Sequence, residues 1–215
     1  MGCSSHHNSR CDGTVIPPHI VNRVGRWKQD ARERLVVAAV DLFTEQGYDD
    51  TTVAQIASRA GLTKSTFFRH FSDKRELLAA GQETLGRLLG EGIDAAVPDA
   101  TTMQAVSCGL ERASSMMGQV NRDLGPRIEA AVAASTELQE RDALKCVGLA
   151  AAVTAALLRR GVPDTEAHVA GELGILALKR GYARWAQADL DDGSELAPHA
   201  QSALAELVAA TRGLR

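Results

Sequence analysis

The sequence predicts an all-α protein of about nine helices, with a small N-terminal head and a larger helical body. Three observations predict it. Apolar residues recur at three- and four-residue spacing over most of the 215 residues. Only eight aromatic residues occur, six of them before residue 72, and the rest of the chain is built largely from Ala, Leu, Val and Gly. Gly, Pro and capping residues divide the pattern into helix-length pieces.

The elements follow in order. Residues 1–28 hold Gly, Ser, Asn and the Pro17-Pro18 pair, and are expected to form a flexible basic arm ending in Arg23, Arg26 and Lys28. A first helix is expected from about Gln29 to Gln46, with Leu35, Ala38, Ala39, Leu42 and Phe43 on one face and Gly47 as its stop. Thr52 caps a second, short helix carrying Val53, Ile56, Ala57 and Ala60. Gly61 turns the chain, and Thr63 caps a third helix with Phe67 and Phe71 on its inner side. Asp73 with Glu76 makes a capping-box start for a fourth helix running to about Ala96.

Further helices are expected at about Thr102 to Asn121 and from Gly125-Pro126 to Ser135. A long one runs from Thr136 or Glu137 to Gly161, and another from Asp164 to Ala188. Asp191-Asp192-Gly193-Ser194 reads as a loop. The last helix carries Leu196, Ala200, Ala203, Leu204, Leu207 and Val208 on one face. Domain boundaries are set at 1–28, 29–76 and 77–215.

Charge and composition limit the function. A net charge of -3 excludes a histone-like coat protein. The charge is uneven: residues 1–80 carry 11 basic against 9 acidic side chains, whereas the rest carry 13 against 18. Cys3, Cys11, Cys108 and Cys146 do not form a disulfide framework, so a reduced, cytoplasmic setting is expected. There is no spanning apolar run and no signal-peptide core, so no membrane partner is expected. The start also fails the myristoylation pattern, with His6 where Ser or Thr is required. Phosphate-binding Gly loops, G-x-S-x-G and H-E-x-x-H are all missing, so no enzyme activity and no cofactor are expected. Cys3, His6, His7 and Cys11 are close enough to ligate a zinc ion but lack paired spacing, so no metal is expected.

The second helix, the Gly61-Leu62 turn and the third helix form a helix-turn-helix. In such a unit the last helix enters the DNA major groove, N-terminus first. Burying Phe67 and Phe71 leaves Lys64, Ser65, Thr66, Phe68, Arg69 and His70 facing outward. Lys64 suits a phosphate or a guanine edge, and the hydroxyls of Ser65 and Thr66 can donate to phosphate. His70 and Lys74 stand where the DNA backbone would pass.

The stretch from Thr52-Val53-Ala54-Gln55-Ile56-Ala57 through Ala60-Gly61-Leu62-Thr63-Lys64-Ser65-Thr66-Phe67-Phe68-Arg69-His70-Phe71, with Lys74, resembles the N-terminal signature of the TetR family of bacterial transcriptional regulators. It covers about a quarter of the chain. Arg159-Arg160-Gly161-Val162-Pro163-Asp164 adds a weaker resemblance to actinobacterial members. The resemblance implies a TetR-like fold and a homodimer on palindromic double-stranded DNA. It also implies a repressor released by a small-molecule effector. By position, Thr63, Lys64, Thr66, His70 and Lys74 would contact DNA, with Thr52 touching phosphate. The family often has Tyr where this chain has Phe68, so one phosphate hydrogen bond is lost.

An effector pocket is likewise implied, and the residue types make it apolar: Leu85, Leu89, Met103, Leu110, Met117, Ile128, Val147 and Trp185. Gly81, Gly86, Gly90 and Gly92 read as a compliant lever between pocket and head. The last two helices read as the dimer interface through Leu173, Leu176, Leu204, Leu207 and Val208. Two alternatives stay open: a regulator without a ligand, and a metal or redox sensor through the N-terminal Cys/His cluster.

Overall fold

The computed structural model describes residues 18–188 and 195–213, with backbone alone over residues 18–30. Nine α-helices and one 3-10 turn are found among them, and no strand. The helices are α1 (Pro18–Gln46), α2 (Val53–Arg59), α3 (Lys64–Phe68), α4 (Gln82–Asp94), α5 (Thr102–Ser114), α6 (Gln119–Ala133), α7 (Thr136–Arg159), α8 (Asp164–Gln187) and α9 (Leu196–Arg212). The 3-10 turn, Arg75–Leu77, lies before α4.

Two apolar clusters organise the chain. The head cluster joins Leu35, Ala39 and Phe43 of α1 to Ile56, Phe67, Phe71 and Leu77. The body cluster joins α4, α5, α7, α8 and α9 around Leu89, Ile93, Leu110, Val153 and Leu157. The head is fastened to the body, because Ala131 of α6 and Leu138 of α7 belong to the head cluster. Ion pairs reinforce the seam: Arg127 to Asp41 at 2.6 Å, Arg141 to Glu76 at 3.2 Å and Arg75 to Glu137 at 3.3 Å.

Most stops and starts fall where the punctuation put them. Gly47 (φ 86°), Gly61 (φ 64°) and Gly161 (φ 84°) all adopt left-handed backbone, which a side chain disfavours. The hydroxyls of Thr52 and Thr63 accept from the backbone N–H groups of Gln55 and Thr66, capping α2 and α3.

Three expectations need correction. The first helix begins at Pro18, not near Gln29. The Pro17-Pro18 pair reads as a loop, but proline suits a first helical position, where its missing N–H has no intrahelical partner to lose. Ile20, Val24 and Trp27, at i, i+4 and i+7, continue the helical period. Residues 1–17, and with them the Cys/His cluster, lie outside the described residues, as does the loop at Asp191–Ser194.

The fourth helix is interrupted. Its Asp73 start yields only the 3-10 turn, and Gly81 (φ 83°) breaks the chain before α4. Finally, the break between α5 and α6 falls at residues 115–118 instead of Gly125-Pro126, and Pro126 sits inside α6. Gly125 is there for packing: a Cβ on it would lie 2.6 Å from the Tyr182 ring. Gly92 of α4 also serves close packing, since a Cβ on it would meet the Cys108 carbonyl of α5 at 2.5 Å.

Candidate nucleic-acid interface

Helix α3 is short, and its two sides differ in kind. Phe67 is fully buried, with Phe71 beside it at 5.7 Å between ring centroids. Thr63, Lys64, Ser65, Phe68 and Arg69 are exposed, while Thr66 and His70 are half-buried. Phe68, 51% exposed, leans edge-on against Phe67 at 5.4 Å, and the Lys64 ammonium lies 5.9 Å from its ring centroid. Lys64 and Phe68 thus share one outward stripe, four residues apart. Arg69 donates to the Thr66 hydroxyl at 3.0 Å, which lies 3.0 Å from the Thr63 hydroxyl. This arrangement groups two cations, three hydroxyls and an aromatic face on one surface.

The turn that presents α3 is tightly built. Arg34 of α1 donates to the Ala60 carbonyl at 2.5 Å, closing the end of α2. A Cβ on Gly61 would lie 2.8 Å from that same guanidinium. Thr52 is exposed at the start of α2, where its N–H and hydroxyl both donate to the Gln55 side-chain oxygen at 2.8 Å.

Lys74 departs from its expected place. Its ammonium donates to the carbonyls of Tyr48 (2.7 Å), Thr51 (3.1 Å) and Asp49 (3.3 Å), and it sits 4.0 Å from the Tyr48 ring centroid. An ammonium has three protons, and all three are directed at the loop between α1 and α2. Lys74 is therefore a strut of the head rather than an outward cation. Sequence reasoning also missed Arg34, since nothing in its immediate neighbours distinguishes a clamp from a surface cation. Asp73 accepts from the N–H groups of Arg75 and Glu76 at 2.8 and 3.2 Å, as its capping role requires. The Arg75 guanidinium bound to it holds its carboxyl below the usual range, against a smaller opposing effect of burial.

The eight expected pocket residues lie in different surroundings. Leu89, Leu110 and Trp185 are buried in the body cluster, with Leu85, Met103 and Met117 at its edge. Ile128 packs on the head cluster instead, and Val147 is 63% exposed. None of the eight lines a described cavity. Aliphatic side chains spread over five helices fill a core as readily as they line a pocket, and here filling prevails. A cavity of about 770 Å³ instead runs along the α4–α7 groove and reaches the head, with Arg32, Glu76, Gln82, Arg87, Arg141 and Arg159 among its lining. Its walls mix polar and apolar surface, and its charges balance.

The expected dimer residues also divide. Leu204 (4% exposed) and Leu207 are packed in the body cluster, with Val208 and Leu173 against it. Leu176 alone among the five is exposed, at 41%. The large side chains of α9 pack against α5 and α8.

The fold and this surface define a class: an all-α chain whose helix-turn-helix head is set on a larger helical body. Residues 35–80 match the family model described as bacterial regulatory proteins, tetR family. It is 40% identical over 52 residues to the HTH-type transcriptional regulator SrpR of Pseudomonas putida, covering 24% of each chain. It is 48% identical over 46 residues to the regulator TcmR of Streptomyces glaucescens, covering 21% of this chain and 20% of that one. The chain thus matches about a quarter or less of the length of these two curated relatives. Over the whole fold it resembles a TetR-family regulator from Syntrophomonas wolfei, with a TM-score of 0.57 and 17% identity, covering 87% of this chain and 97% of that one. Among the described residues no helix is long and apolar enough to cross a membrane.

Proposed function

We propose that the chain is a dimeric, sequence-specific DNA-binding regulator of transcription, acting as a repressor released by a small molecule. The observation that carries the reading is the outward side of α3: Thr63, Lys64, Ser65, Phe68 and Arg69 are exposed on a helix locked from behind by Phe67. Lys64 and Arg69 neutralise phosphate or read guanine, and the hydroxyls of Thr63 and Ser65 position the backbone. Phe68 offers its face to sugar or a thymine methyl, without the phenolic hydrogen bond.

The effector, on this reading, occupies the α4–α7 groove. The groove spans the Gly81 break, with Arg32 and Glu76 on the head side and Arg87 and Arg159 on the body side. A ligand held there would favour one setting of head against body, and release follows only if it prefers the setting with misplaced heads. A polar molecule with charges of both signs suits these walls better than an apolar one.

The test is fluorescence anisotropy with DNA flanking the protein's own gene, scrambled DNA and a salt series. Tight, selective binding that a Lys64→Ala, His70→Ala variant loses supports the reading. Equal affinity for scrambled DNA, unchanged in the variant, would sink it.

A further inference from the structure

A second cavity, of about 320 Å³, lies between α7 and α8. It is separate from the groove. Arg141, Gly148 and Ala152 turn one side of α7 to the groove, and Asp142, Ala143 and Cys146 turn the opposite side to this cavity. Ile175, Leu176 and Lys179 line it from α8, and Val132 from α6. Its volume stands at the small end of the range for ligand sites, about 300–1,000 Å³.

The cavity brings a nucleophile and a hydrogen-bond donor together. Cys146 is a free thiol, half-buried at the edge of the body cluster. Cys108, the other free thiol among the described residues, lines neither the groove nor this cavity. The Lys179 ammonium donates to Asp142 at 2.9 Å and also interacts with the Cys146 thiol. Asp142 thus holds Lys179 beside the sulfur, and protons remain on the ammonium for a ligand. Lys145 adds a second amine. It makes no hydrogen bond or ion pair among the described residues, yet it interacts electrostatically with Asp142, Cys146 and Lys179. Burial pulls its pKa below the ordinary 10.5, against the pull of Asp142 and Cys146. Withdrawing an amine from water without a partner is costly, and packing alone does not account for it.

We propose that this cavity takes a small, neutral α,β-unsaturated carbonyl compound and that Cys146 adds to it covalently. The walls select this class. Val132, Ala143, Ile175 and Leu176 suit a short carbon skeleton. The carboxylates of Asp142 and Glu172, against one lining ammonium, disfavour an anion. Lys179 donates to the carbonyl oxygen. The Cys146 sulfur forms a bond to the β-carbon, and the C=C π pair moves toward that oxygen, where the ammonium stabilises the developing charge. The thiol proton passes to water, and water returns a proton to the α-carbon. S–H is thereby added across C=C, with no leaving group and no oxidant. Val132 packs on the head cluster and Ile175 belongs to the body cluster, so the adduct sits against both cores. The site is independent of the groove and of DNA binding.

Cyclohexenone is the probe. The full chain is incubated with it at neutral pH, and adducts at Cys146 and Cys108 are followed by peptide mass spectrometry, with glutathione as the reference thiol. Cys146 is expected to react at least about tenfold faster than Cys108 and glutathione, at a rate that saturates with reagent. Cyclohexanone, which has no C=C to attack, should slow the reaction by competing for the cavity. Lys179→Met should bring the rate down to that of glutathione, whereas Lys179→Arg, which keeps a donor, retains most of it. Circular dichroism verifies that both variants keep their helical content. Cys146 reacting no faster than glutathione, or at the same rate in Lys179→Met, overturns the proposal.

Discussion

Lys74 shows how one side chain can change the reading of a site. In the sequence it is a cation four residues beyond His70, where a DNA backbone would pass. In the fold its three protons go to the carbonyls of Tyr48, Asp49 and Thr51. Lys74→Met should therefore unfold the head more easily, by about 1–3 kcal/mol, because it leaves partly buried carbonyls without their donor. Thermal melting checks this. The contrast is Lys64→Ala, which leaves the melting temperature unchanged and removes about one unit from the slope of log affinity against log salt. Gly61 has a comparable part in the turn. Its φ of 64° disfavours a side chain, and a Cβ there would push the Arg34 guanidinium off the Ala60 carbonyl, so Gly61→Ala is expected to cost about 1–2 kcal/mol. Asp73 adds a pH dependence. Its carboxyl titrates lower in the fold than the ordinary 3.8, chiefly through Arg75. It therefore stabilises the head above that ordinary value, and the contribution is lost as pH falls through the lower folded value. The melting gap between wild type and Asp73→Asn should narrow as pH falls below that ordinary value, and a gap that does not narrow on acidification would contradict the account.

At the scale of elements, helices with a strong apolar stripe and a conventional cap can be read directly from the sequence. Thr52, Thr63, Gly47 and Gly161 each mark an end that the fold keeps. The differences share a cause: Gly and Pro read as breaks in the sequence where in the fold they do other work. Pro18 opens α1, Pro126 lies within α6, and Gly125 makes room for Tyr182, whose hydroxyl donates to the Asn121 carbonyl. Local punctuation cannot tell a break from a close approach, because the approaching residue is distant in sequence. The outward set of α3 was legible for the opposite reason, since burying Phe67 and Phe71 fixes which neighbours face out. The pocket was not legible, because lining a cavity and filling a core ask for the same aliphatic residues. Gly92 offers a test of the packing argument. Gly92→Val would drive a branched side chain into the Cys108 carbonyl, and a loss of several kcal/mol or failure to fold is expected. A variant that melts like wild type would show that α4 and α5 have room to separate.

The whole molecule behaves as two cores joined at a seam. Leu138 is fully buried and belongs to the head cluster, though it lies on a body helix. Head and body should therefore unfold together, and Leu138→Ala should destabilise both by about 2–5 kcal/mol. Trp185 fluorescence for the body and hydrogen exchange of α1 for the head would report it, and separate transitions would contradict the coupling. Arg141 of α7 pairs with Glu76 across the same seam, and both line the α4–α7 groove. All of this serves one central claim, that the outward side of α3 reads DNA sequence. Selection from a pool of random duplex DNA by the full chain tests it most directly. The account predicts enrichment of a palindromic site with half-sites one helical turn apart, about 34–36 Å. It also predicts that the Lys64→Ala, Arg69→Ala variant fails to enrich it. A pool that stays random under wild-type selection, or the same site enriched by both proteins, would contradict the claim.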